Sequence, residues 1–450
     1  MLLPEKTLDM MQSCLEEHPS KNVVVIAEGI NQSLTRFANS QIHQNVAETS
    51  IVFTITAGSS GRNNTVVTNA RDRDELNAAI LSASEALRDL PVSGNNSPGL
   101  VTEPEEIVHR QYSPELLESF DTHARAELLL EGLKSVGRTD QSHGNLTYTE
   151  QFVAFANSNG IRRLAHANAA STACLIVGRH GGSGYAKAPL SVVNPESVCG
   201  VFSAAAKKAN LNRNPRKVRL GTHTVILEPL ATAQLIHGLA RMGWDAPSVR
   251  DGRSFLSGLE GKQIFAQDIN LSDNWSDPGV VGLPFDFEGS PRVAVPLVEN
   301  GIAKAFLHDR CEGSPTGHTF MLFPPQYETA ALNLVMDPGE ASQTDMIAST
   351  DEGLLITRFH YMNPVSRSGA EYTGLTRDGV FRIHRGEVIG AVTNMRFTDS
   401  LLAAFQSVTA VGRHRERSEL FDRQRIGIFG NHFTPAVKME ALDFTGYTEA

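Results

Sequence analysis

The tetrapeptide Phe37-Ala38-Asn39-Ser40 occurs a second time in the chain, as Phe155-Ala156-Asn157-Ser158. Each copy is followed by a polar stretch, a β-rich run and a Gly-Arg pair, and the spacing from the phenylalanine to that pair is nearly the same in both copies. Self-similarity of this kind is typical of a duplicated structural unit. The sequence therefore predicts two copies of one strand-turn-helix unit, which we expect to associate because a unit with one apolar face needs a partner to cover it.

The rest of the N-terminal half is predicted to be mixed α/β. Apolar residues recur at three-to-four spacing over 72–90 and 195–210, which is typical of a helix after each β-rich run. Between the two copies, Ser113 as N-cap and Pro114 at the first helical position mark a helix that continues to about residue 136. We expect this α/β domain to span residues 1–215.

The C-terminal half, residues 216–450, has the signals of a β-rich domain. One helix is expected over 231–242, closed by Gly243, and another from about residue 398. Turns at Asn300-Gly301 and Arg385-Gly386 predict two β-hairpins, since such pairs supply the positive φ that tight turns need. We expect a curved antiparallel sheet, either a sandwich or barrel-like.

The composition is typical of a globular protein of the cytoplasm. The chain has 450 residues, 41% of them hydrophobic, and a formal net charge of −10, which opposes binding to nucleic-acid backbones. Its first residues have neither the charged nor the apolar region of a signal peptide, and no apolar run approaches the roughly 20 residues of a membrane span. Four cysteines lie far apart without metal or redox spacing. We therefore expect a soluble, cytoplasmic protein that binds neither nucleic acid nor membranes.

No pair of histidines in the sequence has the spacing of a zinc protease. Such enzymes place two imidazoles on one helical face, as in HExxH or HExxxH. The closest of the fifteen histidines in sequence are His308 and His318, which cannot ligate one metal ion from adjacent turns of a helix. His237 lies in an apolar helical stretch and is interpreted as a packing histidine, because one histidine cannot form a metal site. The sequence predicts no metal ligands in this chain.

Three other segments have both a functional and a structural interpretation. The glycine-rich segment 178–184 lacks the GK[ST] of a phosphate loop, and Ser183 misses the last glycine of a GxSxG elbow, so a hairpin tip is favoured. The run 413–417 mixes charges of both signs, which favours a solvated face. The segment 358–372, with His360 and Asn363, is either the wall of a cleft or an ordinary strand-to-turn junction.

Six short motifs in collinear order give the chain a resemblance to the TldD/PmbA family. Each motif is unspecific alone, but together they extend over nearly the whole chain: RFANSQIHQ at 36–44, FANSNG at 155–160, SFL at 254–256, PFDFEG at 284–289, LVENG at 297–301, and NP at 363–364 followed by SG at 368–369. The resemblance implies an N-terminal α/β domain, a β-rich C-terminal domain and association into homo- or heterodimers. It also implies a peptidase whose activity resides in a zinc-bearing TldD-like subunit, with HExxxH on a helix and a cysteine further on.

This chain departs from the zinc-bearing pattern at the expected ligand positions. The helix over 231–242 offers His237, but the residue four positions later is Arg241, and the last cysteine, Cys311, precedes the C-terminal segment. The resemblance therefore implies a PmbA-like (TldE-like) subunit without a metal of its own, with zinc in a partner subunit. The repeated motif and the C-terminal segment supply the candidate substrate-binding residues: Asn39, Ser40, Asn157, Ser158, His360 and Asn363.

Three hypotheses on function remain open. In the first, the chain pairs with a zinc-bearing TldD-like subunit, and together they cleave unfolded or extended peptides, which can add to sheet edges through backbone hydrogen bonds. In the second, it is a non-catalytic peptide-binding or scaffold homodimer. In the third, it is an enzyme with a divergent site, using groups such as His360, His384 or Glu371 on a small molecule or a modified peptide.

Overall fold

The structure of the protein is a computed structural model, and it describes most of the chain. The described residues are 3–18, 22–92, 101–103, 105–118, 120–137, 140–179, 181–308, 317–323, 326–420 and 425–448. Cys311, and His180 of the glycine-rich segment, lie outside these ranges.

The N-terminal half combines long antiparallel strands with helices. In chain order its elements are α1 (Pro4–Glu17), β1 (Val23–Ala38), β2 (Gln41–Ser59), β3 (Arg62–Thr68), α2 (Arg73–Glu85), β4 (Ile107–Gln111), α3 (Pro114–Glu118), α4 (Thr122–Lys134), β5 (Gln141–Asn157), β6 (Arg162–Val177), β7 (Ser183–Leu190) and α5 (Pro195–Leu211).

The C-terminal half is richer in strands. Its elements are β8 (Gly221–Leu227), α6 (Pro229–Gly243), α7 (Ala246–Arg250), β9 (Leu271–Asp273), β10 (Val295–Glu299), β11 (Ile302–Ala303), β12 (Thr319–Phe323), β13 (Gln326–Thr329), β14 (Leu334–Met336), α8 (Gln343–Ala348), β15 (Glu352–Ser366), β16 (Glu371–His384), β17 (Glu387–Ala391), β18 (Met395–Ser400), α9 (Leu401–Gln406), β19 (Val408–Glu419) and β20 (Asn431–Tyr447).

The predicted duplication is confirmed in the order of the elements. Three strands followed by a helix occur twice, as β1-β2-β3-α2 and as β5-β6-β7-α5, and in each set consecutive strands pair antiparallel. The two sets join through β1 and β5, which pair antiparallel from Val24 opposite Asn157 to Phe37 opposite Gly144. Over the described ranges the two sets and β4 form one seven-stranded sheet in the order β3-β2-β1-β5-β6-β4, in which β7 also pairs with β6.

The repeated tetrapeptides, however, do not occupy equivalent places in the two units. Asn39 and Ser40 form the turn after β1, whereas Asn157 is still the last residue of β5. Because side chains alternate between the faces of a sheet, a shift of one residue reverses the face that a side chain occupies. Phe37 accordingly packs with the helices on one face, and Phe155 packs with the C-terminal half on the other.

The two faces of this sheet have different neighbours. Helices α1, α2, α4 and α5 cover one face through two apolar clusters. Part of the opposite face, around Val153 and Phe155, packs against Phe285, Phe320 and Phe429 of the C-terminal half. The two halves of the chain therefore share a core.

The strands of the C-terminal half close into a ring. Strand β8 pairs with both β15 and β20, so that β20, β18, β16, β15 and β8 follow one another and return to β20. The predicted barrel-like architecture is confirmed, but the sheet is mixed, since β8–β15 and β14–β20 are parallel pairs. Hairpin turns in a sequence predict antiparallel neighbours only, so these pairs between distant segments could not be seen. Helix α6 packs against β15 and β20 within the core of this half.

Two predicted helices differ from those observed. The stretch 113–136 forms two helices, because the Asp121 side chain accepts a hydrogen bond from the backbone N–H of Ala124 and so begins α4 anew. Residue 398 lies in β18, and the helix after it is the six-residue α9. The predicted domain boundary at 215/216 falls in the connection between α5 and β8. In the part of the chain that the structure describes, every helix is too short or too polar to cross a membrane.

Candidate functional site

Helix α6 is the element in which the resemblance implies a zinc motif. Pro229 opens it at the first helical position, and Gly243 is its last residue. Gln234 ties the helix to β15, since its Nε2 donates to the backbone oxygen of Phe359 at 3.0 Å and its Oε1 accepts from the backbone nitrogen of Phe359 at 2.8 Å. The position of His237, one turn later, is therefore fixed relative to the barrel-like sheet.

His237 is paired with His432 of β20. Nδ1 of His237 lies 2.9 Å from Nε2 of His432. The backbone N–H of Leu334 donates to Nδ1 of His432 at 3.2 Å, so that nitrogen carries no proton. The proton of neutral His432 is therefore on Nε2, which donates a hydrogen bond to Nδ1 of His237. Because Nδ1 of His237 is the acceptor, the proton of His237 is on Nε2. The order of hydrogen bonds assigns the tautomer of both rings.

Burial keeps both imidazoles neutral. It lowers the pKa of His237 to about 3, and the positive charge of Arg241 adds to this effect. Burial also lowers the pKa of His432 well below its usual value, with a further contribution from His237. Neutral imidazole is the form that binds metals. The protonation state of the two histidines is therefore compatible with metal binding, and the number of ligands around them decides whether a metal site can form.

The two histidines do not complete a catalytic zinc site. Such a site has three protein ligands and an open position for water. The residues four and five positions from His237 on either side are Ala233, Thr232, Arg241 and Met242, none of which is a zinc ligand. Among the residues that the structure describes, no three His, Cys, Asp or Glu side chains are grouped so that they could hold a metal ion. The residues described around α6 therefore do not fit a zinc ion.

Two buried asparagines hold the first residues of β20 beside α6. Asn431 donates from Nδ2 to the backbone oxygen of Val281 at 2.9 Å. Asn333 donates from Nδ2 to the backbone oxygen of Phe429 at 3.0 Å. Both side chains are fully buried, where hydrogen bonds are not weakened by competition with water. These bonds therefore set the position of His432, the residue after Asn431.

A buried ion pair supports this arrangement. Nη2 of Arg292 donates to Oδ2 of Asp273 at 2.8 Å, and both side chains are 0% exposed. Nη1 of Arg292 also donates to Oδ1 of Asn333 at 3.0 Å, while Oδ1 of Asp273 accepts from the backbone nitrogen of Asn333 at 2.8 Å. Removing either member of such a pair leaves a buried charge without a partner. The pair thus secures Asn333 and, through it, the start of β20.

A cavity of about 350 Å³ lies beside His237. Its wall includes Arg241, Glu328, Arg367 and Tyr327. Nη2 of Arg241 is 3.9 Å from Oε2 of Glu328, and burial raises the pKa of Tyr327 to about 12. The cavity is polar and carries charges of both signs, so it could accommodate a polar group next to the histidine pair.

A larger cleft of about 820 Å³ separates the two sheets. It is lined by residues 185–189 of β7, by α5, by the start of α6, by residues 415–417 of β19 and by Phe433, and we call it the β7–β19 cleft. A second cavity of about 450 Å³ adjoins it, since Tyr185 and Lys187 line both. The floor of the second cavity is the polar part of the N-terminal sheet, with Gln32, Asn145, Thr147, Thr149, Gln151 and Ser171.

The six residues predicted to bind substrate lie outside these cavities. Asn157 is fully buried, donates from Nδ2 to the backbone oxygen of Val101 at 2.9 Å and accepts at Oδ1 from the backbone nitrogen of Ile161 at 3.1 Å. Oγ of Ser158 accepts from the backbone nitrogen of Val23 at 3.1 Å. These bonds stabilise the turn after β5, as Asn and Ser side chains often do.

Asn39 and Ser40 lie at the opposite end of the β1–β5 pair from Asn157 and Ser158. Asn39 has a φ of +51°, and Oγ of Ser40 accepts from the backbone nitrogen of Ser142 at 3.0 Å. The structure therefore does not bring the two copies of the motif together. Substrate contact by these four residues stays a prediction.

His360 and Asn363 lie on the exposed part of the β15–β16 hairpin. Nδ2 of Asn363 donates to the backbone oxygen of Tyr361 at 3.2 Å, and Tyr361 is 71% exposed with a φ of +53°. The register of the hairpin is irregular between His360 and Asn363. The structure places both residues on this exposed surface, and their contact with substrate stays a prediction.

The C-terminal half of the chain matches the model of a known protein family. A family model described as the PmbA/TldA metallopeptidase C-terminal domain matches residues 220–446, half of the chain. The chain belongs to the PmbA/TldD family. The matched range begins at β8 and includes α6, the ring of strands and β20, so both histidines of the pair lie within the family domain.

Similar proteins carry related names. The metalloprotease TldD homolog of Buchnera aphidicola subsp. Acyrthosiphon pisum is 24% identical over 257 residues, which cover 54% of this chain and 52% of that protein. The zinc metalloprotease TldD homolog of Saccharolobus solfataricus is 22% identical over 302 residues, covering 63% of this chain and 66% of that protein. The chain thus spans about half to two thirds of the length of these curated relatives.

A solved structure is similar in fold to nearly the whole of this chain. The crystal structure of TldE from Thermococcus kodakarensis superposes with a TM-score of 0.83 at 17% sequence identity, covering 99% of this chain and 100% of that one. The mixed fold, with an N-terminal sheet and a strand-rich C-terminal half, is therefore that of a TldE structure.

Proposed function

We propose that this family member is the zinc-free, PmbA/TldE-like subunit of a cytoplasmic peptide-cleaving assembly, with zinc supplied by a TldD-like partner chain. The observation that carries the proposal is the His237–His432 pair. At the place where a zinc subunit would hold its metal, this chain has two neutral imidazoles joined by a hydrogen bond of 2.9 Å. Two nitrogens do not make the three-ligand site of a catalytic zinc.

The role of this chain in the proposed assembly is to hold substrate. The β7–β19 cleft has apolar and charged side chains in its walls, and the cavity that adjoins it is polar. An extended peptide can bind strand edges through its backbone with little regard to sequence. Unfolded segments present such backbones, whereas folded proteins do not. The proposed substrate is therefore an unfolded or extended peptide.

Cleavage by a reconstituted mixture tests the proposal. Alone, the purified chain should not cleave an unfolded peptide, because none of its described residues can activate water with zinc. Mixed with a zinc-bearing, HExxxH-containing relative from the same organism, it should give cleavage that a chelator abolishes and that exceeds the activity of the relative alone. Peptide fragments are measured by mass spectrometry over time.

A matched mixture provides the control. The same relative with the glutamate of its HExxxH replaced by glutamine should associate with this chain but yield no cleavage. Chelator-resistant cleavage by the lone chain would refute the proposal and favour an enzyme with its own divergent site. A stable homodimer that binds peptides, and that leaves the relative's activity unchanged, would favour the scaffold hypothesis instead.

A further inference from the structure

The β7–β19 cleft is bordered by two strand edges. In the described part of the chain, β7 pairs with β6 alone, and β19 has β20 as its one partner among the named strands. An isolated bridge from Ala341 covers β19 at Gly412, but residues 415–417 line the cleft. An edge strand retains backbone N–H and C=O groups that can pair with another extended chain.

Small side chains leave room between these edges. Ala186 and Ala188 of β7, with Gly200 and Ala204 of α5, line the cleft. A Cβ atom added to Gly200 would meet no other atom within 4 Å. The volume of about 820 Å³ is within the range in which proteins bury ligands. The cleft therefore has space for a segment of extended peptide.

The charges that line the cleft are mainly positive, although the chain as a whole carries −10. The ionisable side chains there are Lys187, Lys208, Arg415, Arg417, Glu228 and Glu416. Three of the four cations already have a carboxylate: Lys187 with Glu419 at 3.0 Å, Lys208 with Glu228 at 2.5 Å, and Arg415 with Asp277 at 3.3 Å. Among the residues that the structure describes, Arg417 has no carboxylate within ion-pair distance and is the cation of this lining that a ligand can pair with.

Arg417 is in an environment that favours an added anion. Its Nε is buried and has no hydrogen-bond partner among the described residues, and burial lowers the pKa of its guanidinium group. Glu419 partly offsets this effect, but its carboxylate pairs with Lys187, so the desolvated charge of Arg417 is only partly compensated. A carboxylate can accept two hydrogen bonds from one guanidinium, which makes it a well-matched partner.

We propose that the β7–β19 cleft binds an extended peptide that carries a carboxylate, with the strand edges pairing with its backbone and Arg417 with the carboxylate. The inference rests on the proposed function and narrows its substrate class to acidic extended peptides. Backbone pairing provides affinity that is independent of sequence. Arg417 adds the preference for acidic segments, because charge-assisted hydrogen bonds are stronger than neutral ones.

Calorimetric titration of the full chain, without any partner subunit, tests this inference. Short Gly-Ser peptides with blocked ends carry one central Glu, or Gln in the matched peptide. The Glu peptide should bind about tenfold more tightly than the Gln peptide, equivalent to about 1.4 kcal/mol. A third peptide, with central Gln and a free C-terminal carboxylate, distinguishes a side-chain carboxylate from a chain end as the group that is bound.

Two variants locate the binding site. Arg417→Gln should abolish the difference between the Glu and Gln peptides. Arg413→Gln should preserve it, since Arg413 lies on the same strand but is exposed and pairs with Asp345. Gly200→Phe should weaken the binding of every peptide, because a phenyl ring placed on α5 would occupy the open space of the cleft. This variant also tests the cleft if Arg417→Gln fails to fold.

The outcomes separate this inference from the proposed function. Absence of binding, equal affinity for the Glu and Gln peptides, or an unchanged Glu preference in Arg417→Gln would each overturn the inference. None of these results bears on zinc-dependent cleavage by the mixture. Conversely, the mixture with the zinc-bearing relative could cleave no peptide while this chain still binds the Glu peptide more tightly than the Gln peptide. That result would refute the proposed function but support the peptide-binding site.

Discussion

Replacing Arg292 by methionine is expected to reduce the free energy of unfolding by about 3–5 kcal/mol. The substitution keeps much of the side-chain volume but leaves the carboxylate of Asp273, which is 0% exposed, without its counter-charge. It also removes the donors to Asn333 and to the backbone oxygen of Leu283. Thermal unfolding monitored by circular dichroism should show a Tm lower by roughly 3–5 °C, because the unfolding entropy of a chain of this length is large.

The same substitution on the surface is the control. Arg382 pairs with Glu352, but their side chains are 46% and 52% exposed, so Arg382→Met should change stability by less than about 1 kcal/mol. The double variant Arg292→Met/Asp273→Asn should be more stable than Arg292→Met alone, because it removes the stranded charge. Equal Tm losses in the Arg292 and Arg382 variants would show that the buried pair does not stabilise the fold as described.

Replacing His432 by alanine is expected to destabilise the protein by about 2–4 kcal/mol. The change opens a cavity in the core and removes the His432 ring that hydrogen-bonds to the backbone N–H of Leu334 and to Nδ1 of His237. His384→Ala is the matched control, since His384 is exposed on a hairpin and pairs with Glu352. Chemical denaturation should show that the free energy of unfolding falls by about 2–4 kcal/mol in His432→Ala and by less than about 1 kcal/mol in His384→Ala.

The histidine pair should also make stability depend on pH. An unfolded histidine has a pKa near 6.5, whereas burial lowers the folded pKa of His237 to about 3. Because the folded pKa is the lower one, the stabilising contribution is complete above pH 6.5 and is lost as the pH falls towards 3. Between pH 7 and pH 4, His237 alone should account for a loss of about 3 kcal/mol.

A variant without the titrating groups tests this dependence. His237→Asn/His432→Gln cannot be protonated in this range, so the loss of its unfolding free energy between pH 7 and pH 4 should be smaller than that of the wild type. Identical pH profiles for the two proteins would show that the pair does not stay neutral in the fold.

Local signals in the sequence were sufficient for much of the fold. The turns at Asn300-Gly301 and Arg385-Gly386 form with positive φ at all four residues, and both predicted hairpins are confirmed. The duplication was visible because each copy is a continuous segment. The parallel pairs β8–β15 and β14–β20 were not, since they join segments far apart in sequence and no turn signals them.

Less of the candidate site than of the fold could be predicted from the sequence. The apolar helical stretch around His237 predicts a packing histidine, and its buried position on α6 agrees with this prediction. Its partner His432 is 195 positions away, too far for a local pattern to reveal the pair. The mixed charges of residues 413–417 favour a solvated face. Arg413 is exposed, whereas Arg415 and Arg417 line the cleft, because the register of β19 with β20 is irregular between Val411 and Arg415.

The zinc content of the isolated chain is the most direct test of the proposal that this chain has no catalytic metal site of its own. The protein is dialysed against a chelator, reloaded with excess zinc, desalted and examined by elemental analysis together with protein concentration. The two-histidine arrangement predicts that zinc is retained far below one ion per chain. Retention of one zinc ion per chain, lost in the variant His237→Asn/His432→Gln, would contradict the proposal.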